Sequence, residues 1–194
     1  ISPTDKGGHL HTPSSEILGL SKPLHPIVFN DLFCLSDQRV HTISVGMSSP
    51  EDLDLHLEAV NMLHQAEDYL PSIKKKFADA AVLSLGEKWL TTWEVGLPTW
   101  NNTPGKINIP TLLWLYNLLE AWGMYDYAKA RYGLLGKAGH WFPGENADLL
   151  DSKVSELELR GVLTHSPWIN EIPRILRKLK MQLGGETKRR LWSS

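Results

Sequence analysis

The run Ser48-Ser49-Pro50-Glu51-Asp52 brings together residue types that hold an anion. Two serine hydroxyls and the unpaired amides of a starting helix are hydrogen-bond donors, and the helix dipole adds positive potential at the same end. Gly46 just upstream, with Gly7 and Gly8 near the N-terminus, permits the close backbone approach a phosphate group requires. A second candidate is His9-x-His11. On an extended segment both rings point to one face and can ligate a metal, but a zinc site needs three or four ligands and no third lies nearby in sequence, so a surface loop is the preferred reading. The single cysteine, Cys34, excludes an internal disulfide and any multi-cysteine metal or iron–sulfur site, fits a reducing cytoplasm, and reads as core filler.

These residues need elements to position them. Ile1 to Pro13 is loop-like, and Ser14 or Ser15 caps a short turn over Glu16 to Leu20. Pro26 opens a buried helix through Leu35. Val40 to Val45 alternates and ends at Gly46, which predicts a short strand, the clearest β segment of the chain. The run from Ser48 then starts a capped helix in which Leu53, Leu57, Val60, Leu63 and Leu70 form an apolar stripe, giving one β/α unit. Beyond Pro71 the pattern predicts helices only: 72–93 with a break near Gly86, 110–122, 124–135, 149–159 and 173–183. The boundary between the two regions is placed near Leu70. Residues 101–110 and 138–147 read as irregular connectors and 184–194 as a polar, basic tail.

The chain has 194 residues, a formal charge of -2 and 42% hydrophobic residues, which point to an ordinary globular protein rather than a nucleic-acid binder or a disordered chain. No apolar run has transmembrane length. Together with the lone cysteine this places the expected compartment in the cytoplasm. The opening on Ile1 without a methionine or a signal-like segment reads as a piece of something longer.

Taken together, Ile-Ser-Pro-Thr-Asp-Lys-Gly-Gly at 1–8, the helix around 27–35 and Val-His-Thr-Ile-Ser-Val-Gly-Met-Ser-Ser-Pro-Glu-Asp-Leu at 40–53 resemble the last two β/α units of an aldo/keto reductase (β/α)8 barrel in order and spacing. The resemblance implies a nicotinamide dinucleotide held by the loop after strand seven and the helix start after strand eight, in keeping with barrel sites at the C-terminal ends of strands. It implies cofactor-side roles for Ser2, Thr4, Lys6, Gly7, Gly46, Met47, Ser48, Ser49 and Asp52, with His56 in the place of an adenine-contacting asparagine. Asp52 stands where an arginine could grip the 2′-phosphate, which argues against strong NADP selectivity because carboxylate and phosphate repel. Ile1 replaces a tyrosine that stacks on the nicotinamide. The family's acid–base residues come from earlier strands, so no catalytic residue is expected in this chain.

Residues 93–135 resemble the ferredoxin-like helical extension of some aldo/keto reductases, keeping its frame in Thr103-Pro104-Gly105-Lys106-Ile107-Asn108-Ile109-Pro110 and Leu115-Tyr116-Asn117. The four cysteine positions fall on Trp93, Gly96, Thr99 and Thr103, so no cluster is expected. Packing of Trp89, Trp93, Trp100 and Trp114 is the expected replacement.

The expected fold is therefore mainly α with a small β component: residues 1–70 as the end of a barrel, and 71–194 as an all-helical domain. The expected function is an NAD(P)-dependent oxidoreductase acting on a small carbonyl compound, this chain supplying part of the cofactor cradle. The alternative is a non-catalytic helical module whose lobe docks a protein partner. The loop around His140-Trp141 reads as a connector. The basic cluster Arg174, Arg177, Lys178, Lys180, Lys188, Arg189 and Arg190 reads as a solvated helix face, with partner binding as its alternative.

Overall fold

A computed structural model describes residues 9–137 and 143–185. The described chain is mainly helical, 63% of it, and forms two compact units. The first comprises residues up to Ser84 together with Ala121–Met124, the second Leu85–Glu120 and the residues from Tyr125 on.

In the first unit, α1 (Ser15–Leu20) begins where the Ser14 hydroxyl accepts from the Ile17 amide, and α2 (Pro26–Leu35) where His25 Nδ1 accepts from Ile27 with proline in the first turn. α3 (Glu51–Asn61) packs on α2, and α4 (Ala66–Leu85) follows after a short turn. Val28, Leu32, Ala59, Leu70 and Ile73 make the core, and Phe29 stacks on Phe77 with centroids 5.3 Å apart. The Trp122 indole donates to the Phe77 carbonyl, and the Ser14 hydroxyl donates to the Trp122 carbonyl.

Three expectations are corrected here. Residues 40–47 form no strand, and the only β pairings among the described residues are two isolated bridges, so no barrel portion is present in them. The physical reason is that alternation sets which way side chains point, whereas a strand exists only when a neighbour takes its amides and carbonyls. The stripe Leu53, Leu57, Val60 and Leu63 does not face the core: all four are exposed, and α3 instead turns Asp52, His56 and Ala59 inward. Leu70, grouped with that stripe, is buried from α4, a helix that runs without interruption through Pro71.

In the second unit, α5 (Glu87–Thr92) follows Gly86, where the expected break falls. α6 (Ile109–Trp122) and α7 (Tyr125–Leu134) carry Leu112, Leu113, Leu115, Ala128 and Tyr132 into a core shared with Leu176, Leu179 and Leu183 of α9 (Ile172–Leu183). The predicted helix over 149–159 is displaced. A turn at Ala147–Leu149 precedes an irregular stretch with Asp151 at φ 64, and α8 (Glu156–Val162) begins later. A capping box decides that start, the Ser155 hydroxyl accepting from the Glu158 amide while the Glu158 carboxylate accepts from the Ser155 amide.

Trp89 is buried in this core, donates from its indole to Asn117 Oδ1 at 2.6 Å, and meets Trp168 and Tyr116 edge to face. Trp93 and Trp114 pack against the same core, while Trp100 is half-buried and accepts at its carbonyl from the Thr103 hydroxyl. Arg177, Lys178 and Lys180 on the basic face of α9 are tied down internally, while Arg174 is exposed. Arg177 forks onto Asp151 and also reaches Glu156, Lys178 pairs with Glu120, and Lys180 donates to the Leu150 carbonyl. Lys188, Arg189, Arg190, His140 and Trp141 lie outside the described residues.

Candidate functional site

The start of α3 is where the described site residues gather. Ser48 and Ser49 precede the first turn, and Asp52 turns its carboxylate back toward them. The Ser48 amide donates to Asp52 Oδ2 at 2.6 Å, the Ser48 hydroxyl at 3.0 Å and the Ser49 amide at 3.0 Å. Two are amides and one a hydroxyl of the turn that leads into the helix, here collected on a single anionic oxygen. His11 Nδ1 lies 3.0 Å from the same oxygen, an electrostatic contact rather than a well-directed hydrogen bond. Burial alone would push the Asp52 carboxyl up, but the two amides, the hydroxyl and His11 outweigh it and hold it down at about 2. Asp52 is therefore a carboxylate at neutral pH.

His56 lies one turn further along α3 and faces inward. Its Nδ1 stands 2.5 Å from Asp31 Oδ2 on α2, and its Nε2 stands 3.3 Å from the Gly46 carbonyl oxygen. The ring thus links α2, α3 and the segment before the Ser-Ser turn, with both nitrogens directed at protein oxygens. His25 at the head of α2 belongs to the same neighbourhood. Burial pulls its imidazole below the usual value, against the opposing charges of Asp52 and Glu58.

Of the residues expected on the cofactor side, the structure brings Gly46, Ser48, Ser49, Asp52 and His56 together, while Met47 stands exposed beside them. Gly46 has open space around it: an added Cβ would meet nothing within 4 Å. Ser2, Thr4, Lys6 and Gly7 lie outside the described residues, as does Ile1. Sequence reasoning missed Asp31 and the approach of His11 to Asp52. Asp31 carried a legible signal, since it is the one charge in the largely apolar run Pro26-Ile27-Val28-Phe29-Asn30-Asp31-Leu32-Phe33, and a charge on a buried helix face needs a partner. The His11 contact carried none, because 40 residues lie between it and Asp52 and no local pattern brings the two together.

At the four positions where the resemblance puts cluster ligands, Thr103 is buried with its hydroxyl donating to the Trp100 and Ile107 carbonyls, and Gly96 sits at φ 70 against the backbone of His165. Trp93 is half-buried and Thr99 exposed. Among the described residues no group of three or more histidine, cysteine, aspartate and glutamate side chains is placed to hold a metal, and no helix is long and apolar enough to cross a membrane. Comparison with protein-family models, with curated proteins and with solved structures finds no match.

Proposed function

We propose that this chain belongs to an NAD(P)-dependent oxidoreductase of the aldo/keto reductase type and supplies one side of its dinucleotide cradle, the whole protein acting on a small carbonyl compound. The observation that carries the reading is the convergence of the Ser48 amide, the Ser48 hydroxyl and the Ser49 amide on one anionic oxygen. Successive amides and a hydroxyl in the turn ahead of a helix are donors that a phosphate oxygen can also take. The open space beside Gly46 leaves room for a group to approach the backbone there.

When bound, the nicotinamide supplies the hydride chemistry; the residues of this chain bind and orient, and none is assigned a proton transfer. Asp52 sets the conditions of binding. A phosphate oxygen takes these donors only as the carboxylate turns away, and its remaining charge opposes the additional phosphate of NADP, so the proposed preference is for NAD. Titration of NADH and NADPH into the full-length protein, read by tryptophan fluorescence, tests this. Micromolar binding of NADH, with weaker NADPH, is expected; binding of neither cofactor overturns the reading.

A second reading, a non-catalytic interaction module, is favoured by a different observation. Leu53, Leu57 and Val60 stand outward along one side of α3, an apolar face that has no use in the core of this unit.

A further inference from the structure

The start of α2 is closed by a side chain whose acceptor depends on its protonation state. Serine, threonine, asparagine and aspartate are the usual caps, because a side-chain oxygen accepts a hydrogen bond at any ordinary pH. Here the acceptor is a ring nitrogen: His25 Nδ1 takes the Ile27 amide at 3.2 Å, with the His25 backbone extended at φ -66 and ψ 145. An imidazole nitrogen accepts only while it carries no proton, so this bond requires a neutral ring with its hydrogen on Nε2.

The Ile27 amide has no substitute partner in solvent. Pro26 carries no N–H, which makes Ile27 the first donor of α2, and Ile27 is wholly buried. A proton on Nδ1 sets one N–H against another. Either the ring swings away and orphans the amide, or the first turn opens to water. The imidazolium also stands at the positive end of the helix dipole.

The surroundings pull both ways. Asp52 and Glu58 on α3 favour the charged ring, and His11 stands at the same Asp52 carboxylate. On α4, Lys76 donates to the carbonyl of Lys22, three residues before the ring. Burial outweighs the two carboxylates and holds the imidazole below its usual value. The unfolded chain therefore takes up this proton at about 6.5 and the folded chain only at lower pH. The stability carried by the cap is complete above that ordinary value and is lost as pH falls through the folded one.

We propose that His25 is a proton-operated cap: the first turn of α2 is closed while the ring is neutral and opens when Nδ1 takes a proton. The switch goes beyond the dinucleotide reading and does not depend on it. α2 also carries Asp31, the buried partner of His56, so the loosening begins about one helical turn from the contact that joins α2 to α3.

The test is a pH titration of the intact chain followed by NMR of the imidazole nitrogens and the backbone amides. At neutral pH, Nδ1 of His25 is expected to be the bare nitrogen and Nε2 the protonated one. On acidification the Ile27 amide should shift with the His25 ring. Hydrogen-exchange protection of Ile27, and of Phe29, whose amide donates to the His25 carbonyl, should fall about ten-fold. In His25→Asn, whose side-chain oxygen caps without titrating, protection is expected to hold within about two-fold over the same range. A proton found on Nδ1 at neutral pH overturns the cap. An Ile27 amide that ignores the His25 titration overturns the switch, and so does protection that rises as the ring is protonated, because Asp52 and Glu58 would then be clamping the charged ring. Loss of protection that persists in His25→Asn overturns it in favour of another titrating group. If His25→Asn does not fold, the ring and amide titrations of the unaltered chain decide by themselves.

Discussion

Asp31 Oδ2 and His56 Nδ1 meet at 2.5 Å inside the first unit, joining α2 to α3 through two side chains that are almost wholly withdrawn from water. The second ring nitrogen of His56 faces the Gly46 carbonyl, so one imidazole fixes both the helix pair and the segment leading to the Ser48-Ser49 turn. Removing one partner of a buried pair leaves the other unsatisfied.

Replacement of Asp31 by Ala or His56 by Ala is accordingly expected to destabilise the first unit by about 3 kcal/mol, whereas the Asp31→Leu/His56→Leu pair recovers most of that loss. Urea unfolding followed by far-ultraviolet circular dichroism measures it. Equal destabilisation by the double replacement would show that packing, and not the paired polar groups, carries the effect.

The Asp52 carboxyl, held at about 2 by the Ser48 and Ser49 donors, has a depressed folded value. Its contribution to the start of α3 is fully present above the ordinary aspartate value of about 4 and is lost as pH falls from there through about 2. The Ser48 and Ser49 amide resonances should therefore move together in that window. In Asp52→Asn the acid-dependent movement disappears; movement persisting in this variant would assign it to another group.

Asp52→Ala removes the carboxylate that the Ser48 and Ser49 donors share and is expected to cost about 1 kcal/mol of stability. Under the proposed function it also frees the Ser48 and Ser49 donors and lifts the repulsion of phosphate. NADPH affinity of the full-length protein should rise about ten-fold relative to NADH. Unchanged affinity for both would separate this turn from the cofactor.

Gly96 stands at φ 70, and a Cβ there would lie 2.1 Å from the His165 carbonyl oxygen. Neither the backbone conformation nor the space accepts a side chain, so Gly96→Ala should destabilise the second unit by about 2 kcal/mol or more. The same geometry bears on the cluster frame. Cysteines placed at Trp93, Gly96, Thr99 and Thr103 together are expected to give unfolded or weakly folded protein without a stable iron–sulfur centre. Reconstitution with iron and sulfide that yields a stable visible chromophore, with circular dichroism intact, would contradict it.

The division between what the chain announces and what only its fold decides follows the range of the forces involved. The helix starts at Ser14 and Pro26, and the break at Gly86, are set by hydrogen bonds and backbone preferences within a few residues, and they are legible in the sequence. Where 149–159 was read as one helix, the Ser155–Glu158 box was a local signal passed over. The alternation at Val40–Val45 could not become a strand by itself, because the amides and carbonyls of a strand are satisfied by residues distant in sequence. The periodicity of α3 was equally real, yet which face turns inward depends on α2, and Asp31 on that helix draws His56 and its neighbours toward the core, leaving Leu53, Leu57 and Val60 outside. The Ser48-Ser49 donors were readable from residue type as an anion site, and tertiary structure decided which anion takes them here. Asp52, three and four residues away on the first turn, brings its own charge to them, and these donors together with His11, brought in from far along the chain, outweigh the burial that opposes that charge.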